Sequence, residues 1–272
     1  MKIREIKAKS IIIRSNLPGA DYVINPYTGC VHSCLYCYAR FMKRFTGHNE
    51  PWGRFIDVKV NAADLIPENT LRYEGKQIFM SSVTDPYNPL ERRYLLTRRV
   101  LKKLIPLQPD LGIQTKSDLV LRDVDLLVQF KNCEVGLTIT TLEDIIRKEI
   151  EPAASSVEKR IKALEKLKYA GINTYIFIGP ILPSVTDWKE IILKTKDFTD
   201  LYMFEDLNIV GTVWNSVRKW LEEKHLDLLE EYRRIYFTKS CYWDKVSYEI
   251  KKFCREEKVD FEIYFHHKGY YL

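Results

Sequence analysis

Short apolar runs of strand length alternate along the chain with longer stretches whose apolar residues recur every three or four positions. Strands are predicted at DYVINPY (21–27), QIFMSSVT (77–84), LGIQTK (111–116), EVGLTIT (134–140), NTYIFIG (173–179) and LYMFEDLNI (201–209). Helical patterns fall between them, near 34–46, 97–105, 122–130, 142–150, 156–170 and 187–197. The best-marked helix is SSVEKRIKALEKLKYAG, in which Val157, Ile161, Leu164 and Leu167 follow one face. Ser155 and Glu158 have capping-box spacing, and Gly171 stands where a left-handed C-terminal cap belongs. Pro152 ends the preceding helix, and Asp187 can cap the next one.

Six strand–helix alternations imply parallel strands joined by right-handed crossovers. The strands are too apolar on both faces for a half-exposed antiparallel sheet. The expected architecture is an α/β partial (β/α)6 TIM-like barrel over residues 21–210, where chemistry gathers at the C-terminal strand ends. A lead-in of 1–20 precedes it, and a mainly helical extension of 211–272 with a late strand, VDFEIYFHH, follows.

Composition narrows the setting. The 272 residues can bury a large core, and no run of 18 apolar residues suggests a membrane span. MKIREIKAKSIIIRSN offers only three consecutive isoleucines between charges, too short for a secretory signal, so a cytoplasmic setting is expected. The formal charge of +6 is uneven: residues 1–60 carry ten Lys/Arg against four Asp/Glu, and the rest carry 33 of each. A basic end favours anionic partners such as nucleic acid, and a solvated basic face is the plainer alternative.

Three of the six cysteines sit within NPYTGCVHSCLYCYARF: Cys30, Cys34 and Cys37, spaced C-x3-C-x2-C. A cuboidal [4Fe–4S] cluster needs one thiolate per bound iron, so three ligands leave one iron open to a substrate or cofactor. Zinc is the rival. A structural zinc wants four ligands, usually as two close pairs, and this chain has no second pair. His32 is a candidate fourth ligand, awkwardly placed inside the loop. Cys133, Cys241 and Cys254 are scattered, and buried inert thiols are the default reading for them.

The stretch from Cys30 to Cys37 resembles the signature of the radical S-adenosylmethionine (SAM) superfamily. The motifs SSVTDPYNPLE (81–91), QTKSDLVLRDVDLL (114–127), VGLTITTLED (135–144) and FIGPILPSVTD (177–187) extend the resemblance to the spore photoproduct lyase-like subgroup, often labelled DNA repair photolyase. The resemblance implies a [4Fe–4S] cluster held by Cys30, Cys34 and Cys37, with SAM on the open iron and an external electron donor. Reductive cleavage of SAM would yield a 5′-deoxyadenosyl radical that abstracts hydrogen from a substrate, with nucleic acid a candidate class.

Around SAM, the resemblance places the hydroxyls of Ser82 and Thr84 and the Asp85 carboxylate at the ammonium. Read as local structure, Thr84-Asp85-Pro86 is turn chemistry. Lys116 is a candidate for the SAM carboxylate, or a surface lysine. Thr138 and Thr140 share a strand face, and Thr140 is the better candidate for the ribose or carboxylate. Gly179-Pro180 would let backbone approach the adenine, with Tyr36 packing beside it. Glu205, Asp206 and Asn208 are candidates for substrate or cofactor contact. Spore photoproduct lyases carry a hydrogen-donating cysteine just before the hydroxyl–acid pair, and Val83 stands there in this chain. Two readings therefore stand: a radical SAM enzyme acting on an unidentified substrate, and a noncatalytic zinc-bearing nucleic-acid-binding protein.

Overall fold

The computed structural model describes residues 1–68 and 71–266. Its strands are β1 (Lys2–Ile6), β2 (Ile12–Arg14), β3 (Tyr22–Ile24), β4 (Tyr27–Thr28), β5 (Phe55–Lys59), β6 (Gln77–Met80), β7 (Asp110–Thr115), β8 (Cys133–Thr138), β9 (Asn173–Ile181), β10 (Leu201–Asp206) and β11 (Phe261–Tyr264). The large sheet runs β2-β3-β6-β7-β8-β9-β10-β11, so neighbouring parallel strands follow chain order as the strand–helix repeat predicts. Every pair is parallel except β2–β3. With β2 and β11 as edges, the α/β barrel is partial, as expected.

The six expected barrel strands are β3 and β6 to β10, and the late strand joins them as β11, pairing with β10 from Tyr202↔Phe261 onward. The C-terminal extension thus returns to the barrel sheet. His267, the last residue of the late-strand stretch, lies outside the described residues. The lead-in also forms structure: β2 pairs antiparallel with β3, and β1 lies in a second sheet, ordered β1-β5-β4.

Three boundaries differ from the pattern for physical reasons. The expected strand 21–27 breaks at Pro26, which has no amide to donate; its carbonyl accepts from Lys59 N (3.1 Å), and the chain turns into β4. The expected helix 34–46 shortens to a 3-10 turn over Tyr38–Phe45. Ahead of it, the Arg40 guanidinium donates to the Cys34 (3.2 Å) and Leu35 carbonyls, replacing helical amides there. The helix Val157–Tyr169 is capped by Ser156, whose hydroxyl accepts from Lys159 N (3.4 Å). Ser155 instead donates to Asp118 (2.5 Å), so the cap lies one residue later than the spacing suggested. At its other end Gly171 has φ +80°, and Ile172 N returns to Leu167 O (3.1 Å), closing the expected left-handed cap. Asp187 caps the helix Trp188–Thr195 through Glu190 N (3.0 Å).

The core is continuous from β3 to β11 and includes Ile24, Ile78, Ile113, Val135, Ile176 and Phe204. One close approach inside it requires glycine. Gly136 lies in register with Tyr175, and a Cβ at 136 would fall 2.0 Å from the Tyr175 ring, whose hydroxyl donates to Ile113 O (3.1 Å). Gly136→Val is therefore expected to lower stability by about 1–3 kcal/mol. The check is the urea midpoint of the single variant against Gly136→Val/Tyr175→Leu, where the smaller partner should return part of the loss.

Candidate functional site

The small sheet aims the cysteine loop. β4 ends one residue before Gly29, and Tyr27 in β4 donates its hydroxyl to the fully buried Glu91. Glu91 also accepts from Thr97 N (3.0 Å) and Arg122 (2.8 Å), which fixes the loop's entry. Gly29 then takes φ +88°, and a Cβ there would lie 2.7 Å from the Phe55 carbonyl oxygen. Cys30 and Cys34 are buried, and Cys37 is half-buried.

The loop is clasped to the C-terminal strand ends. Thr84 Oγ1 donates to Gly29 O (2.6 Å), and Tyr38 donates to the Ser82 carbonyl. The His32 ring lies with Nδ1 3.0 Å from Ala153 O and Nε2 3.2 Å from Asp85. Both nitrogens of His32, the fourth-ligand candidate by spacing, therefore face protein oxygens across the clasp. Asp85 is the centre of this arrangement. Its carboxylate also accepts from Thr115 Oγ1 (2.7 Å), Tyr87 N (2.8 Å) and Lys116 N (2.9 Å). Burial raises its pKa, but the His32 ring and these hydroxyl and amide donors outweigh burial and hold it at about 2. Three hydrogen bonds and the His32 ring thus already engage the carboxylate that the resemblance assigns to the ammonium.

A second buried group lies beside Tyr36. The Tyr36 hydroxyl donates to Glu151 and lies 3.3 Å from Thr140 Oγ1, which is 3.4 Å from Gly179 O. Glu151 pairs with Arg160 (2.7 Å), both about 1% exposed, and Arg160 also donates to Thr138 O (2.7 Å). Tyr36 and Thr140 thus use their hydroxyls inside the protein. The peptide between Gly179 and Pro180 is cis and lies at the end of β9, beside this network.

Two kinds of polar group remain available. Lys116 Nζ sits 5.7 Å from the Tyr36 ring centroid and makes no ion pair within the described residues. Burial lowers its pKa, but Cys34, Glu151 and Asp85 outweigh burial and hold it above the usual lysine value. The second is Ser81, which the sequence reading missed: its backbone has φ +70° and its buried hydroxyl has no partner among the described residues. Its neighbour Ser82 accepts from Asn25 (3.3 Å), leaving the Ser82 proton free to turn outward.

The three thiols are pushed up by burial, and each feels the Lys116 charge, which pulls it down. The indole N–H of Trp52, buried and without an oxygen or nitrogen acceptor, also acts on Cys37 in that direction. Elsewhere, burial pushes Cys133 and Cys254 up to about 12, in keeping with inert thiols, and Cys241 is exposed. Glu205 and Asp206 stand at the end of β10, with Glu205 close enough to raise the Tyr38 pKa. They hold His266, through its ring (3.1 Å) and its amide (2.8 Å), while Asn208 caps a turn at Val210 N (3.0 Å).

Residues 24–195 match the radical SAM superfamily. An uncharacterized protein of Methanocaldococcus jannaschii is 46% identical over 230 residues, covering 85% of this chain and 86% of that protein. Spore photoproduct lyase of Bacillus subtilis is 25% identical over 178 residues, covering 64% of this chain and 49% of the lyase. A solved spore photoproduct lyase complexed with dinucleoside spore photoproduct superposes with a TM-score of 0.68 at 18% identity, over 97% of this chain and 82% of that one. At that identity the structural likeness concerns the fold.

The Asp85 clasp has a pH signature. Its pKa is depressed in the folded chain, so its stabilisation is complete above about pH 4 and disappears as pH falls toward about 2. Asp85→Asn turns an amide toward existing donors and is expected to cost about 2–3 kcal/mol at neutral pH. Urea unfolding of both proteins from pH 7 to pH 3 checks this: the gap should narrow toward the acid end. A constant gap would mean that Asp85 acts through packing alone.

Proposed function

Because the chain belongs to the radical SAM superfamily and has the fold of its spore photoproduct lyase-like members, we propose that Cys30, Cys34 and Cys37 ligate three irons of a [4Fe–4S] cluster whose fourth iron takes SAM. When bound and supplied with one electron by an external donor, this pair provides a 5′-deoxyadenosyl radical that abstracts hydrogen from a substrate.

Three thiols within eight residues, two buried and one half-buried and each under the pull of the Lys116 charge, carry the reading. Cys30, Cys34 and Cys37 share one buried corner with Lys116, and their charges repel one another in that corner. A cationic metal group reverses this penalty and makes thiolates the stable form. The sequence offers no second close cysteine pair of the kind a structural zinc uses, which favours a cluster over zinc.

The remaining assignments follow from which groups are free. Lys116 offers its ammonium to the SAM carboxylate, while the Ser81 and Ser82 hydroxyls offer acceptors to the SAM ammonium. Thr84 and Asp85 hold the cysteine loop against β6 and β7, and so position the thiols. Tyr36 and Thr140 are tied to the end of β9, where the Gly179-Pro180 backbone is left to border the adenine.

For the substrate we propose a nucleic acid, on the basic excess of residues 1–60 and on the dinucleoside held by the fold neighbour. The reaction differs from that of a lyase with a cysteine hydrogen donor. At that position Val83 offers only its amide, to Asn25 (3.1 Å), and the three other cysteines lie outside the network at the strand ends.

Anaerobically reconstituted protein should be brown, absorb broadly at about 400 nm and hold about four irons per chain. Cys34→Ala should lose the colour. Dithionite-reduced protein with SAM should release 5′-deoxyadenosine. Lys116→Ala should keep the iron but weaken SAM binding by about 10–100-fold, the worth of one charge-assisted contact. Colourless protein with one zinc per chain would overturn the reading.

A further inference from the structure

The C-terminal extension carries a second cleft that the proposed chemistry does not use. It has a volume of about 460 Å³ and lies between the helices Val213–Lys224 and Leu229–Phe237. Trp214 and Phe237 form an edge-on pair in its wall, with ring centroids 5.0 Å apart and planes at 65°. Phe237 is 58% exposed, a large apolar ring left in water. Arg218, Arg233 and Arg234 surround the pair, and Glu230 is the only carboxylate among the lining residues.

The charges do not balance. Glu230 binds Arg233 (2.6 Å), and Glu222 reaches Arg218 along one helix face at 3.6 Å. Arg234 makes no ion pair within the described residues. Arg234 is thus the guanidinium of the three without a carboxylate, and beside an open aromatic face it suits a planar anion. A ring stacks on Trp214 or Phe237, and a phosphate accepts the guanidinium forks. An acidic peptide would satisfy the arginines but leave the aromatic wall bare.

We propose that this cleft binds a nucleotide unit, its base on the Trp214–Phe237 wall and its phosphate on Arg218 and Arg234. The helix Leu229–Phe237 is fixed near the strand ends, with Tyr232 donating to Pro183 O (3.1 Å) in the loop after β9. That bond holds the helix by its buried face, so the cleft-lining face is left outward. The inference takes from the preceding section only the substrate class and needs neither cluster nor SAM.

The test is fluorescence anisotropy of a labelled 12-residue oligothymidylate at several salt concentrations, with AMP as the free-nucleotide arm. Arg218→Ala/Arg234→Ala should weaken oligonucleotide binding about tenfold or more. It should also flatten the salt dependence by about 0.7 units, the share of one phosphate on a single strand. Trp214→Ala should weaken binding without changing the salt slope. Competition by millimolar AMP would identify a free nucleotide as sufficient, and its failure beside tight oligonucleotide binding would identify a strand. Both outcomes support the cleft. Unchanged affinity and slope in the double variant, or binding of neither probe, would overturn it. Cys34→Ala should still bind the oligonucleotide, so a failed cluster and a failed cleft are told apart.

Discussion

The Asp85 carboxylate collects donors from three separate parts of the chain: the His32 ring inside the cysteine loop, the hydroxyl and amide at the end of β7, and the Tyr87 amide two residues on. A loop with three thiols in eight residues has little structure of its own. Its place relative to the barrel is set by this contact, by Thr84 on Gly29 O and by the β4–β5 pairing that leads into it. Because the carboxylate is buried, each of its donors would be left unsatisfied by any shift of the loop, and that penalty makes the loop position discrete. Everything proposed for the thiols depends on that position.

Electrostatics around the thiols follow from the same clasp. Asp85 and Glu151 provide two buried negative charges, while Arg160 and Lys116 provide two positive ones. Arg40, on the Cys34 and Leu35 carbonyls, adds a third positive charge that also acts on Cys37. Arg160 is committed to Glu151 and to Thr138 O, which leaves Lys116 as the positive group able to answer an incoming anion. Thiolates add negative charge to a place with little spare compensation, so a metal cation is the natural counterweight.

Much of the barrel was legible because parallel buried strands and amphipathic helices leave strong periodic signals. Gly171 and Asp187 could be placed because caps depend on local spacing. The small β1-β5-β4 sheet left little signal. β4 has two residues and β1 is largely exposed, so neither shows a periodic apolar face. Within the site, residue types were readable and their partners were not. Asp85 stood out as an acid at a strand end, yet its three donors come from positions 87, 115 and 116 and its ion-pair neighbour from 32, a grouping that exists only after folding. Glu151 looked like a helix-end residue, and nothing local marked it as the partner of Tyr36 and Arg160. Ser81 was passed over because its signal, a buried hydroxyl without a partner, belongs to the fold.

The division of labour along the chain follows from where each contact originates. The groups placed at the thiols come from the cysteine loop, the ends of β6 to β9 and the segment 144–160. The C-terminal extension meets them at few points, among them Arg40 bonding Ser216 and Tyr232 bonding Pro183 O. It also supplies β11, whose exit is fixed by Asp206 and Glu205 on His266. Arg40 is shared, since it also donates to the Cys34 and Leu35 carbonyls, and Trp220 and His225 both bond Glu149, so the extension braces the cysteine loop and the segment beside it.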